Sequence, residues 1–147
     1  GIVQKGAPYN VYNTPIDRDT VAFFSDANAI KSHVRGALAD TPFGQFFAPG
    51  HEDGTPVDIV FRPQHVRIDF DRQGKGPNPT ASQGVAALGL VERSRFLGSE
   101  SLVEFRMDHD GTILKATVPY VFLPKPGRRL WLTIPRDRCH VFKTHFT

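Results

Sequence analysis

Two runs of alternating apolar residues meet at Asp110-Gly111 and leave this chain few folds to choose from. Val103, Phe105 and Met107 precede the dipeptide; Leu114, Ala116 and Val118 follow it. Successive side chains of a strand point to opposite faces, so each run gathers its apolar residues on one side. Asp-Gly favours a tight type I′ hairpin, because glycine accepts positive φ and aspartate tolerates it. With His109 opposite Thr112, Met107 faces Leu114, Phe105 faces Ala116 and Val103 faces Val118. All six apolar side chains then share one face, and that is the register the pattern predicts.

The same period recurs on both sides of this hairpin. Val57, Ile59 and Phe61 alternate before an interruption at Arg62-Pro63-Gln64, and Val66, Ile68 and Phe70 alternate after it. Asp71 to Gln83 is a polar connection holding Gly74, Gly76, Pro77 and Pro79. Val85 to Arg95 reads as a longer extended run that ends at a Phe96-Leu97-Gly98-Ser99 bend. Pro124-Lys125-Pro126-Gly127 makes a further turn before Leu130, Leu132 and Ile134, and Pro135 ends that strand or places it on an edge. Many short strands with close turns predict a small sandwich or a partly open barrel.

Composition narrows the class further. The chain has 147 residues, 39% of them hydrophobic, with 12 prolines and 13 glycines, enough for one β-rich domain and a small appendage. From Lys125 onward six basic residues stand against Asp137 alone, a local excess of five. The net charge of +3 therefore leaves −2 on the first 124 residues. A basic tail suits nucleic acid, acidic headgroups, an acidic protein or simply solvent. Cys139 has no partner for an internal disulfide, no N-x-[ST] acceptor is usable, and no apolar run approaches the roughly 18 residues of a membrane span. A reducing cytoplasm is the expected setting.

Residues 1–26 differ in character. Pro8 to Tyr12 predicts one or two helical turns, with proline at the first position and Asn13-Thr14-Pro15 as the stop. Asp17 to Phe24 predicts a second short helix with Asp17 as its cap. Two such helices carry too few apolar residues to form a core alone, so 1–26 and 27–147 are expected to be separate units.

The run Gly1-Ile2-Val3-Gln4-Lys5-Gly6-Ala7-Pro8, with Val11-Tyr12-Asn13-Thr14-Pro15 and Val21-Ala22-Phe23-Phe24, resembles the stretch that closes the ATPase domain of ABC-importer subunits. Ala7 replaces the usual serine or threonine there, and Asn28 falls where an asparagine often follows. Phe61-Arg62-Pro63-Gln64-His65-Val66-Arg67, Phe96-Leu97-Gly98-Ser99-Glu100 and Leu123-Pro124 to Trp131-Leu132 resemble landmarks of the transport-associated OB (TOBE) domain appended to such ATPases. Ile134 to Phe142 looks most like the ferric-iron importers. The resemblance implies a mainly β chain, with a small OB-like antiparallel barrel of five or six strands over about 29–142, preceded by the two short helices. It implies a regulatory and dimer-supporting domain of an ABC-importer ATP-binding protein, for iron(III) or another small solute. The expected partners are a second copy of the chain, the ATPase domain of the same subunit and, through the full-length protein, membrane permease subunits. Such a subunit sits on the inner face of the cell membrane.

No G-x-x-x-x-G-K-[ST] loop occurs, so ATP and Mg²⁺ are expected to bind upstream of Gly1 and not in this segment, which is expected to be no enzyme. Metal and cofactor residues are expected to be absent. His109 between Asp108 and Asp110 sits at a hairpin tip, where three successive side chains do not converge on a metal. Cys139 reads as an ordinary strand residue. Ser94, Ser99 and Ser101 lack a nucleophile elbow, and Gly74-Lys75-Gly76 is too short to cradle phosphate. Two loops carry more weight. Arg62, Pro63, Gln64 and His65, with Phe96, Leu97, Gly98 and Glu100, are the candidate subunit interface. Arg62-Pro63 also has a plain structural reading, a strand end with a paired arginine. A small-ligand or oxyanion sensor is the alternative function, because related OB-like domains bind an oxyanion. Nucleic acid is not expected, since the aromatics fall mostly on the core side.

Overall fold

Extended backbone accounts for nearly all the regular structure in the computed structural model, which describes residues 12–13, 27–69 and 85–144. Six strands form the first sheet: β1 (Tyr12–Asn13), β2 (Asn28–Arg35), β3 (Leu38–Thr41), β4 (Gly44–Phe47), β5 (Pro56–Phe61) and β11 (His140–Lys143). Their order is β1-β11-β5-β2-β3-β4. Five strands form the second: β6 (Arg67–Asp69), β7 (Ala87–Phe96), β8 (Ser101–Met107), β9 (Ile113–Val118) and β10 (Arg129–Thr133), in the order β6-β10-β7-β8-β9. Neighbours are antiparallel except β1, which runs parallel to β11.

The single five- or six-stranded barrel is thus corrected to two curled sheets around one core. Val57, Ile59 and Phe61 of the first sheet and Val103, Phe105 and Leu132 of the second are all excluded from solvent and belong to the same cluster. The expected alternation sets this up, since each sheet has its apolar face inward and neither face is stable in water alone.

The β8–β9 hairpin keeps its predicted face and changes its register. Phe105 pairs with Leu114, Val103 with Ala116 and Ser101 with Val118. Met107 and Thr112 close a four-residue loop through Met107 N–H to Thr112 O at 2.8 Å and Gly111 N–H to Met107 O at 2.8 Å. Gly111 has φ +79 and ends this loop, so Asp110-Gly111 is not a two-residue turn. The slip is two residues, an even number, and every apolar side chain stays on the core side.

The first of the two short helices is not borne out at the one residue of it that is described. Tyr12, the last residue of the first expected helix, is in β1, where Tyr12 and Asn13 align with His140 and Val141. A neighbouring strand satisfies extended backbone there, and so few residues could not meet the cost of starting a helix. The rest of both helical spans falls outside the described residues. The helical turns described are short 3₁₀ segments, η1 (Pro63–His65) and η2 (Arg136–Arg138).

One side chain joins the sheets at their margin. Asn28, at the start of β2 and only 5% exposed, donates from Nδ2 to Lys115 O at 2.7 Å and accepts from Lys115 N–H at 2.8 Å. Its amide reproduces both bonds of a strand partner, so β9 is tied to the first sheet without a ladder.

Candidate protein interface

The two predicted loops come to the same end of the molecule, on either side of the segment that leaves β9. Arg62 precedes η1, whose first position is Pro63; His65 N–H bonds Arg62 O at 3.0 Å and Val66 N–H bonds Pro63 O at 3.2 Å. This turn packs beside β9. Val66 is buried beneath it, Gln64 is exposed, and Arg62, Pro63 and His65 are half-buried. Both readings of Arg62-Pro63 therefore have a basis: Pro63 ends the extended run, and the turn is at the surface.

Phe96 to Glu100 is the tip of the β7–β8 hairpin, closed by Leu97 N–H to Glu100 O at 2.7 Å. A bulge between Val91 and Arg93 bends β7. Ala87, Gly89 and Val91 are buried before it, whereas Arg95 and Phe96 are exposed beyond it, so the tip leaves the core. Phe96, Leu97, Gly98 and Ser99 are exposed, and Glu100 is half-buried.

Sequence reasoning missed the third part of this surface. After β9 the chain passes through Pro119-Tyr120-Val121-Phe122-Leu123-Pro124 as an irregular strap. Tyr120 is 51% exposed, Val121 65% and Leu123 50%, beside Leu97 at 51%. The signal was present: four successive apolar residues between prolines cannot all face inward, because an extended chain alternates. Ser101 holds the strap to the hairpin tip. Its hydroxyl is fully buried, donates to Tyr120 O at 2.7 Å and accepts from Phe122 N–H at 2.8 Å. Ser94 Oγ donates to Pro124 O at 2.8 Å. These serines pin one side of an apolar patch formed by Phe96, Leu97, Tyr120, Val121 and Leu123.

Tyr120 also borders a groove of about 300 Å³ between η1, β6 and the end of β9. Gln64, Val66, Arg67, Ile68, Thr117, Val118 and Pro119 complete its lining. Three arginines and one carboxylate act on His65 at this end. Burial, then Arg138 and Arg62, pull the His65 imidazole below its ordinary value; Asp137 acts in the opposite sense and Arg67 adds to the depression. His65 Nδ1 has no hydrogen-bond partner.

The residues set aside from the sequence are elsewhere. Asp108, His109 and Asp110 are exposed in the β8–β9 loop, and Asp110 Oδ1 accepts from Thr112 N–H at 2.9 Å. Among the described residues no group of three possible metal ligands converges. Cys139 follows η2 and is not in a strand; it is buried, and burial pushes its thiol up to about 12, which keeps it protonated and unreactive. Gly74-Lys75-Gly76 lies outside the described residues. No helix among the described residues is long and apolar enough to cross a membrane.

Comparison with known proteins follows the same geography. A family model described as the TOBE domain matches residues 49–142, which include η1, the hairpin tip, the strap and the groove. An Fe(3+) ions import ATP-binding protein of Rhodococcus jostii is 28% identical over 107 residues, 73% of this chain and 28% of its own length. Its counterparts in Streptomyces avermitilis and Serratia marcescens are 27% and 23% identical, covering 86% and 96% of this chain but 33% and 38% of theirs. The chain therefore spans about a third of these relatives. A solved structure of a cytoplasmic molybdate-binding protein superposes with a TM-score of 0.57 at 16% identity, over 78% of this chain and 94% of that one. At that identity the likeness concerns the fold, which is OB-like.

Proposed function

Because the chain belongs to the TOBE domain family, which accounts for residues 49–142, we propose that it is the regulatory and dimer-supporting part of an ABC-importer ATP-binding subunit, with iron(III) as the favoured cargo. The similarity to Fe(3+) import ATP-binding proteins supports the transporter and the cargo. In this reading ATP and Mg²⁺ belong to the part of such subunits that the chain does not span, and the segment works by contact. The subunit would act on the cytoplasmic face of the membrane, held there by permease subunits.

The observation that carries the contact role is the patch of Phe96, Leu97, Tyr120, Val121 and Leu123. These large apolar side chains are at least 44% exposed, and hydrogen bonds from Ser94 and Ser101 fix the strap that bears three of them. Large apolar side chains exposed on neighbouring, hydrogen-bonded segments favour association. A second copy is the first partner, since a two-fold contact needs only one self-complementary patch. Arg62 to His65 supply a polar, basic margin on the other side of Tyr120.

Sedimentation at several concentrations tests this. The expected result is reversible dimerisation, weakened by Leu97→Asp and Val121→Asp at unchanged melting temperature. A protein that stays monomeric in both the segment and the full-length subunit would sink the dimer-supporting role.

A second reading, ligand sensing, draws on the fold shared with a molybdate-binding protein and on the groove beside η1. It is compatible with the first, because Tyr120 borders both groove and patch.

A further inference from the structure

The exposed tip of the β7–β8 hairpin and the groove beside η1 are two parts of one surface. Pro119 and Tyr120 line the groove, and Ser101 ties Tyr120 and Phe122 to the hairpin, so the strap separates a projection from a depression. At the tip Gly98 turns with φ +97, and a Cβ built on it would meet nothing within 4 Å. Gly98 and Ser99 add little bulk, which leaves Phe96 and Leu97 standing out, 44% and 51% exposed. The depression measures about 300 Å³, and Val66, Ile68, Val118 and Pro119 give it apolar walls. β6 and β9 are the outer strands of their sheet, so no strand of that sheet fills the space between them.

The charges of the two parts are opposite. Glu100 closes the tip, and Arg67 lines the groove. Neither takes part in an ion pair among the described residues. No carboxylate is in the groove lining, and no cation occurs from Phe96 to Glu100. An unrelated partner needs only one of these parts. A surface that carries an apolar projection with a carboxylate next to an apolar depression with a guanidinium fits its own copy. A two-fold axis lying in the contact plane exchanges what stands on either side of it. With the axis at Tyr120, between tip and groove, each tip meets the other copy's groove, and every contact is made twice.

We propose that two copies of this chain join by reciprocal seating: Leu97 of each copy enters the groove between η1, β6 and β9 of the other, and Glu100 pairs with Arg67 across the contact. The inference rests on the dimer-supporting reading and gives that reading a geometry. Leu97 supplies the burial, and the charge pair sets which side of the surface meets which.

Sedimentation of charge-reversed forms at low ionic strength tests it, with Arg67→Glu and Glu100→Arg run separately and as an equimolar mixture. Alone, each should dimerise about tenfold more weakly than the parent, because one reversal turns two attractions into two repulsions. The mixture should recover the parent's affinity. In a mixed dimer the new carboxylate faces the new guanidinium at one contact, and the native pair is kept at the other. Lys31→Glu, on the other sheet, should leave association within twofold. A short bismaleimide gives an independent reading. Leu97→Cys mixed with Thr117→Cys should link across copies, whereas Leu97→Cys mixed with Lys31→Cys should not. The buried Cys139, with its thiol pushed up to about 12, stays silent. Arg67 and Leu97 are exposed and Glu100 and Thr117 half-buried, so the variants should melt near the parent, and that is checked first. A mixture no stronger than its components, an equal loss in Lys31→Glu, or a dimer without the Leu97–Thr117 link would overturn reciprocal seating and leave a dimer through the patch standing. A parent that stays monomeric, as the segment and as the full-length subunit, would overturn both.

Discussion

Ser101 has no chemistry to perform, yet it decides the shape of the exposed patch. Its buried hydroxyl donates a hydrogen bond to Tyr120 O and accepts one from Phe122 N–H, which ties the strap to the hairpin tip. Ser101→Ala leaves both backbone groups without that partner and should cost about 1–3 kcal/mol. Urea unfolding measures the loss, and faster hydrogen exchange at the Phe122 amide should accompany it. Asp110 acts on a smaller scale. Its hydrogen bonds with Thr112, opposed by slight burial, hold the carboxyl below its ordinary value of 3.8. A carboxylate lowered in the folded state stabilises above its unfolded pKa and loses that contribution as pH falls through the folded value. The melting-temperature gap between the parent and Asp110→Ala should therefore close as pH drops from 5 toward 2. His65 works with the opposite chemistry. Its pKa is lowered, so the fold binds fewer protons than the unfolded chain near pH 6, and stability falls as pH drops below about 6.5. His140, lowered by burial, acts the same way. His65→Gln should flatten part of that decline between pH 7.5 and 5, read by thermal melts.

Among the elements, the β8–β9 hairpin separates what a sequence reveals from what it conceals. Its face was legible because Val103, Phe105, Met107, Leu114, Ala116 and Val118 keep strict alternation. Its register was not, because a slip of two residues leaves every side chain on the same face. Only the loop chooses, and here Gly111 closes four residues with φ +79. A β-branched residue resists that region, so Gly111→Val should destabilise the protein by about 1–2 kcal/mol. An unchanged urea midpoint would contradict the loop geometry. The β2–β3 hairpin was invisible for a related reason. Gly36 and Ala37 both have positive φ, as a two-residue primed turn demands, but alanine is not a residue that advertises one. Ala37→Gly should relieve strain and raise the melting temperature slightly. In the candidate site, Arg62 to His65 and Phe96 to Glu100 were legible as interruptions of extended runs. The strap was overlooked because its apolar residues do not alternate. The groove could not be read at all, since it joins Arg67 to Thr117 and Tyr120 across most of the fold.

At the scale of the molecule, two sheets share one core, and the question is whether they unfold as one. The buried cluster runs without a break from Ile30, Val34 and Ile59 through Phe105 and Leu114 to Leu132 and Val141. Neither sheet can shed the other without exposing its apolar face, which favours a single cooperative transition. At the margin, Asn28 does for β9 what a neighbouring strand would do, with one donor and one acceptor on Lys115. Asn28→Ala removes both bonds at once and should cost about 1–3 kcal/mol. Asn28→Asp keeps an acceptor for the Lys115 amide but has no proton for its carbonyl when ionised, so it should lie between. The continuous core predicts that the transition stays single in both variants, only earlier. Far-ultraviolet circular dichroism follows all the strands, and fluorescence of Trp131 on β10 follows the second sheet. Coincident midpoints that fall together in the order parent, Asn28→Asp, Asn28→Ala are the expected outcome. Midpoints that separate would mean that the amide, and not the shared core, is what makes the two sheets one unit.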